Sequence, residues 1–195
     1  MTKVRLSGVI GLGLVFLALT TWYSFFQPFI PGAVLNAIPA QATFYHQADG
    51  LDDLLQSPVC GQLDKALGAG NSLDALLKSS KWVRLAAASE IAVTDLPLRY
   101  AGQTKSWATV SWVGWRSPWL RWKLEHARAK GFTLLGKHAV WPVWQYESSS
   151  IARGSILTFT LTDNLFIACL SESPSDILFL LDTYDNRIAS VNDAH

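Results

Sequence analysis

Apolar residues fall into two regimes along the chain. Between Leu6 and Phe26 they form one run without a charged residue, containing Val9, Ile10, Leu12, Leu14, Val15, Phe16, Leu17 and Leu19. Beyond Pro39 they recur in short alternating or helical patterns, separated by Gly, Pro, Ser and Asp. The first regime predicts a membrane-spanning helix, because at ~1.5 Å rise per residue such a run crosses a ~30 Å hydrocarbon core. The second predicts strands mixed with short helices.

The spacing predicts a strand over 42–48, then Asp49 as cap of a helix carrying Leu51, Leu54 and Leu55. Ser57-Pro58 restarts that helix, which Leu63 and Leu67 continue until Gly68 and Gly70 stop it. Ser72 can cap a further piece with Leu73, Leu76 and Leu77 on its inner face. Strands follow over 91–94 and 107–113. Ser117-Pro118 opens a helix over 119–130 with Leu120, Leu124 and Ala127 as its buried stripe and Gly131 as its stop. A strand is expected over 133–135 and another over 141–146, where Pro142 argues for a sheet edge.

The segments 155–162 and 165–170 read as a hairpin about Asp163-Asn164, a pair that tolerates positive φ. A two-residue turn sets Leu157, Phe159 and Leu161 opposite Leu170, Ala168 and Phe166, making one side of the hairpin wholly apolar. A last helix starts at Ser173-Pro174, with Asp176 completing a capping-box-like start, and buries Ile177, Leu178, Leu181 and Tyr184. After Ser190 the pattern offers no closing element, as in a short or truncated member of a longer architecture. The class expected is α+β: a single N-terminal transmembrane helix, then an antiparallel sheet with helices packed on one face. Residues 1–27 form the anchor with a short cytoplasmic N-terminus, 28–40 a proline-rich connector lying along the domain or the membrane, and 41–195 the extracytoplasmic domain.

Lys3 and Arg5 precede the apolar run and orient it with the bulk of the chain outside the cytoplasm. Trp22, Tyr23, Phe25 and Phe26 cluster at its far end, where aromatic rings suit the headgroup layer. Leu6, Gly11, Leu14, Ala18, Trp22 and Phe26 mark the anchor, and Ser7, Gly11 and Ala18 form a small-residue stripe suited to close helix approach. Ala40-Gln41-Ala42 has the form of a signal-peptidase site but lies too far beyond the apolar run, across Pro28 and Pro31, for an ordinary cleaved signal.

Composition narrows the classes further. The 195 residues are 50% hydrophobic and only 16% charged, with a formal net charge of +1, which excludes a disordered tail and a basic nucleic-acid grip. Two cysteines, Cys60 and Cys169, match neither a disulfide scaffold nor a metal cluster and read as buried small side chains. His46, His126, His138 and His195 lack a second ligand at metal-like spacing, so no metal or cofactor is expected. Glu125-His126 reads as a solvated pair. His46 with Asp49, near a strand end, is the remaining catalytic candidate, and it has no nucleophile beside it.

Tryptophan is the unusual feature. Of nine, Trp107, Trp112, Trp115, Trp119, Trp122, Trp141 and Trp144 fall in one part of the chain, among Arg116, Arg121, Lys123, Arg128 and Lys130. Some must fill the core. Trp115, Arg116, Trp119, Arg121, Trp122 and Lys123 are expected on a surface, the first helix stripe being already supplied by leucine; such a surface suits a protein interface or a headgroup layer.

Ile38-Pro39-Ala40-Gln41-Ala42, then Asp49, Leu51, Leu54, Leu55 and Ser57-Pro58, resembles an uncharacterised family of membrane-anchored bacterial envelope proteins with an extracytoplasmic α+β domain. Gly131-Phe132 and the 165–170 strand before a Ser-Pro helix follow the same loose pattern, which spans Ile38 to about Val191. The resemblance implies an inner-membrane, periplasm-facing location and no transferable catalytic residues. The function expected is a non-enzymatic accessory, structural or assembly subunit of a larger membrane complex, respiratory, photosynthetic or secretory, meeting other subunits through the small-residue stripe and the Trp/Arg surface. The alternative is a free-standing module that recognises lipid, glycan or peptide; nucleic acid is not an expected partner.

Overall fold

The computed structural model describes residues 2–25, 28–61, 89–97, 106–126, 132–146 and 155–194. Helix α1 is Thr2–Phe25, with side chains described from 11 to 22, all of them exposed. Among the described residues no helix is long and apolar enough to cross a membrane. The side chains of Leu6 and Phe26, and the expected helical pieces over 62–77 and 127–131, lie outside the described residues. Gly11, Leu14, Ala18 and Trp22 lie within them.

Among the described residues seven strands build one antiparallel sheet: β1 Tyr45–Ala48, β2 Ile91–Asp95, β3 Trp107–Trp112, β4 Phe132–His138, β5 Trp141–Tyr146, β6 Ile156–Leu161 and β7 Leu165–Ser171. Their order is β1-β2-β3-β7-β6-β5-β4. The β6–β7 hairpin sits near the centre, with Leu157 opposite Leu170, Phe159 opposite Ala168 and Leu161 opposite Phe166, the register expected from its apolar alternation. Its turn is the Asp163-Asn164 pair, closed by the Thr162 N–H donating to the Leu165 carbonyl at 2.9 Å. Neither turn residue takes a positive φ. The turn is held instead from outside, as described below.

Helices cover both faces, correcting the one-face expectation. On one face α4, Ile177–Tyr184, packs Ile177, Leu180 and Leu181 against Leu165, Ile167, Cys169, Val110 and Val143. On the other, α2 (Leu51–Gln56) and the helical residues 58–61, with Val59, cover Ile91, Val93 and Trp107, while α3 (Ser117–His126) covers Leu161 and Phe166. Burial explains this: β2 is buried at every position and β7 is apolar without break from Leu165 to Leu170, so each face demands its own cover. Cys169 belongs to the first cluster and Cys60 follows Val59 on the opposite side of the sheet, so no disulfide joins them.

Two helix starts differ from their expected chemistry. Asp49 does not cap α2; Gly50 occupies that position and Asp53 reaches back to accept from the Asp49 N–H at 3.3 Å. Ser173 does accept from the Ser175 N–H, with Pro174 next, but Asp176 turns inward, where it is buried and accepts from the Ser106 hydroxyl at 3.3 Å. Pro142 lies in an interior strand, because β4 rather than β5 forms that edge.

The connector is part of the core. A 3-10 turn over Ala33–Ala37 inserts Val34, Ala37 and Ile38, all at 0% exposure, beside α4. The end of the described chain closes over it: Pro39 bridges Ser190, the Val191 N–H donates to the Ile38 carbonyl at 2.8 Å and Ala40 N–H to the Ala189 carbonyl at 2.9 Å. A 3-10 turn over Val191–Ala194 follows, so 190–194 do supply the closing element the pattern did not announce. Asp193 accepts from the Ser190 N–H (2.9 Å) and hydroxyl (2.7 Å), and these bonds hold its carboxyl below the ordinary value.

In the full-length chain, Ile38→Ala should lower unfolding stability by ~2–5 kcal/mol, the cost of an unfilled core site. A urea midpoint no lower than that of the exposed-site control Leu14→Ala would show that the connector is not core. Because the Asp193 carboxyl is depressed in the fold, its contribution is present above the ordinary carboxylate value of 3.8 and is lost as the pH falls through the lower folded value. Asp193→Asn should therefore lower the melting temperature relative to the parent at neutral pH, with the gap closing in acid; a gap independent of pH would contradict the assignment.

Candidate functional site

The tryptophan surface is assembled where β3 runs into α3. Backbone N–H groups of Val113 and Gly114 both donate to the Asn164 carbonyl, at 2.8 and 3.0 Å, and the Ser117 hydroxyl donates to the Thr162 carbonyl. The central hairpin turn thus pins the start of α3. Gly114 has φ +52, and a Cβ there would lie 2.9 Å from the Trp112 Nε1, so the close passage over the indole admits only glycine. Leu120 is buried against Val113 and Leu161, with Leu124 beside it.

That single inner stripe decides what faces out. Trp115, Trp119 and Trp122 are 48%, 41% and 56% exposed, at successive offsets of four and three. Cations accompany them: the Arg116 guanidinium lies 5.8 Å from the Trp115 ring centre, and the Lys123 Nζ lies 4.3 Å from that of Trp119. His126 stacks on Trp122 at 5.0 Å. Trp107, Trp112, Trp141 and Trp144 are buried, so the cluster divides between core and surface.

Arg121 departs from the expected surface set. Its Nη2 donates to the Leu161 carbonyl at 2.9 Å and its guanidinium lies 5.4 Å from the Trp141 ring centre. The register explains the bond. Val143 is opposite Thr160, so the next pair sets Pro142, which has no N–H, opposite Leu161. Arg121 supplies the donor that the proline withholds.

Helix α1 meets this same region. Helix α1 contacts the 3-10 turn Gly114–Arg116. Beyond it, Phe29 lies edge-on to Trp112 at 5.7 Å, and both Phe29 and Ile30 are half-exposed. Exposed aromatic and aliphatic side chains therefore border the exit of α1 as well as the face of α3.

The other candidates do not converge. His46 lies on the edge strand β1 opposite Val93, and Asp49 is exposed beyond the strand end. Among the described residues no group of His, Cys, Asp and Glu could hold a metal ion. His138 pairs with Asp182 at 2.9 Å, and Arg187 approaches the same oxygen at 3.3 Å, joining β4 to α4.

Sequence reasoning missed two buried carboxylates. Glu90 accepts from the Gly32 N–H at 2.8 Å and from the Gln47 amide, while its Oε2 is buried with no hydrogen-bond partner. Asp95 accepts from the Thr43 and Phe44 N–H groups at 3.0 and 2.9 Å and from the Thr43 hydroxyl. Glu90 ties the connector, and Asp95 the residues just before β1, to β2. They flank an apolar strand with no local signal of burial, and only the approach of residues 32 and 43–44 reveals it. Burial raises the Tyr184 hydroxyl above its ordinary value, where the ring packs edge-on to Trp141 at 5.9 Å.

No family model, curated protein or solved structure matches this chain.

Arg121→Met should cost ~1–3 kcal/mol by leaving the Leu161 carbonyl without its donor. In a Pro142→Val background, where the strand regains an N–H, the same change should cost clearly less. Equal costs in the two backgrounds, read from urea midpoints, would rule out the substitution of Arg121 for the missing ladder donor.

Proposed function

We propose that this chain is a single-span envelope protein without chemistry of its own, acting as an accessory, structural or assembly subunit of a larger membrane complex. In this reading the whole run from Leu6 to Phe26 crosses the bacterial inner membrane, with residues 28–195 on the periplasmic side. Kinship with anchored envelope proteins belongs to the same proposal.

The observation that carries it is the absence of slack after the connector starts. A binding module that searches for ligands is usually tethered by a polar, solvated linker. Here the chain enters the core within a few residues of α1: Gly32 donates to buried Glu90, and Val34, Ala37 and Ile38 are fully covered. A domain joined this closely to its helix has a set height and orientation, which suits a structural subunit. The outward Trp115, Trp119 and Trp122 favour a second reading, a free-standing module recognising lipid, glycan or peptide.

Purification of the native protein in mild detergent, followed by sizing and mass spectrometry, separates the two. The subunit reading expects stoichiometric membrane-protein partners that persist through sizing. A lone particle of the chain's own mass, 21.5 kDa plus detergent, would overturn it.

A further inference from the structure

We propose that the Trp115, Trp119 and Trp122 face is a lipid-docking surface, seated in the phospholipid headgroup layer that surrounds the exit of the domain's own anchor. The proposal rests on the reading of residues 1–27 as a membrane span. It assigns this face to lipid and leaves protein partners to other surfaces.

Position is the first argument. Helix α1 contacts the 3-10 turn that carries Trp115 and Arg116, so the tryptophan face begins where the anchor meets the domain. Phe29 and Ile30, at 51% and 53% exposure, continue the apolar surface on the connector side. Trp115 is carried by the turn that contacts α1, and Trp119 and Trp122 follow it on α3 at offsets of four and three.

Chemistry is the second. Indole places a large apolar ring among acyl chains and its N–H among headgroups, and this amphipathic character concentrates tryptophan at bilayer interfaces. Arg116 and Lys123 sit over the rings at 5.8 and 4.3 Å, so each cation is carried at the edge of an apolar patch, where lipid phosphates would lie. Exposed Glu125 and His126 share α3, and half-buried Arg121 is turned toward Leu161. Leu120 anchors the opposite side of the helix in the core, so the face can enter the headgroups without unfolding α3.

The test uses the full-length protein reconstituted in phosphatidylcholine vesicles containing phosphatidylglycerol. Tryptophan emission is recorded with bromine atoms placed either near the headgroup or near the chain ends of the lipid. The signal of interest is the difference between the parent and the triple variant W115F/W119F/W122F, whose melting temperature should match the parent because all three rings are exposed. The difference signal should be quenched about twofold more by shallow than by deep bromines, as for rings at the interface. Absence of quenching in that signal would overturn lipid docking, and photocrosslinking at residue 119 in native membranes to a protein in place of lipid would reassign the face to protein. Alkaline carbonate extraction of the same vesicles tests the span separately. A chain that resists extraction while its surface rings are unquenched keeps the anchor and loses the docking face. A chain that is extracted loses the anchor, and quenching of the difference signal would then establish docking as a peripheral property of the domain.

Discussion

The seating of residues 33–38 between α4 and the sheet is the constraint on which the rest of the molecule depends. Val34, Ala37 and Ile38 are fully covered, and each such side chain contributes ~1–3 kcal/mol by leaving water. Their backbone is claimed as well. The Ile38 carbonyl accepts from Val191, the Ala40 N–H donates to Ala189, and Gly32 N–H is held by Glu90. One segment thereby joins the first described helix, strand β2 and the end of the described chain. Without it α4 would lose a neighbour and the sheet would lose the cover over Ala92 and Val110.

The second dependency runs through the central hairpin. Its turn does not achieve closure through left-handed backbone; it is gripped by Val113, Gly114 and Ser117 of the β3–α3 corner. The same bonds set the rotation of α3. With Leu120 directed at Leu161, the offsets of four and three leave Trp115, Trp119 and Trp122 no inward option. The surface is therefore a consequence of core geometry, and Arg121 is drawn away from it by the carbonyl that Pro142 leaves unserved.

Periodic features were readable in advance. Among the described residues the strands, the helices α2 to α4, the β6–β7 register and the outward position of Trp119 and Trp122 follow from alternation and from the leucine stripe. Features that depend on what the chain meets from afar were not. Pro142 signalled an edge because edges are where a missing N–H is harmless, yet a side chain from α3 makes an interior position equally tolerable. Asp176 looked like a cap because it follows Ser173-Pro174 at cap spacing, and the Ser106 hydroxyl, 70 positions away, takes it inward. Within the candidate surface, spacing identified the three exposed indoles and misjudged only Arg121.

By itself the sequence determined that the chain has an extreme apolar segment followed by an α+β domain, because hydrophobic period and caps act over a few residues. It also determined the hairpin register, since a one-residue slip would expose every apolar side chain of that face. Tertiary structure alone decided that helices cover both faces, that the connector is core and that Glu90 and Asp95 are buried ties. It also decided that Trp107, Trp141 and Trp144 join the core. These outcomes turn on contacts between residues tens of positions apart, and no local pattern encodes which distant group will arrive to satisfy a carbonyl or cover a face.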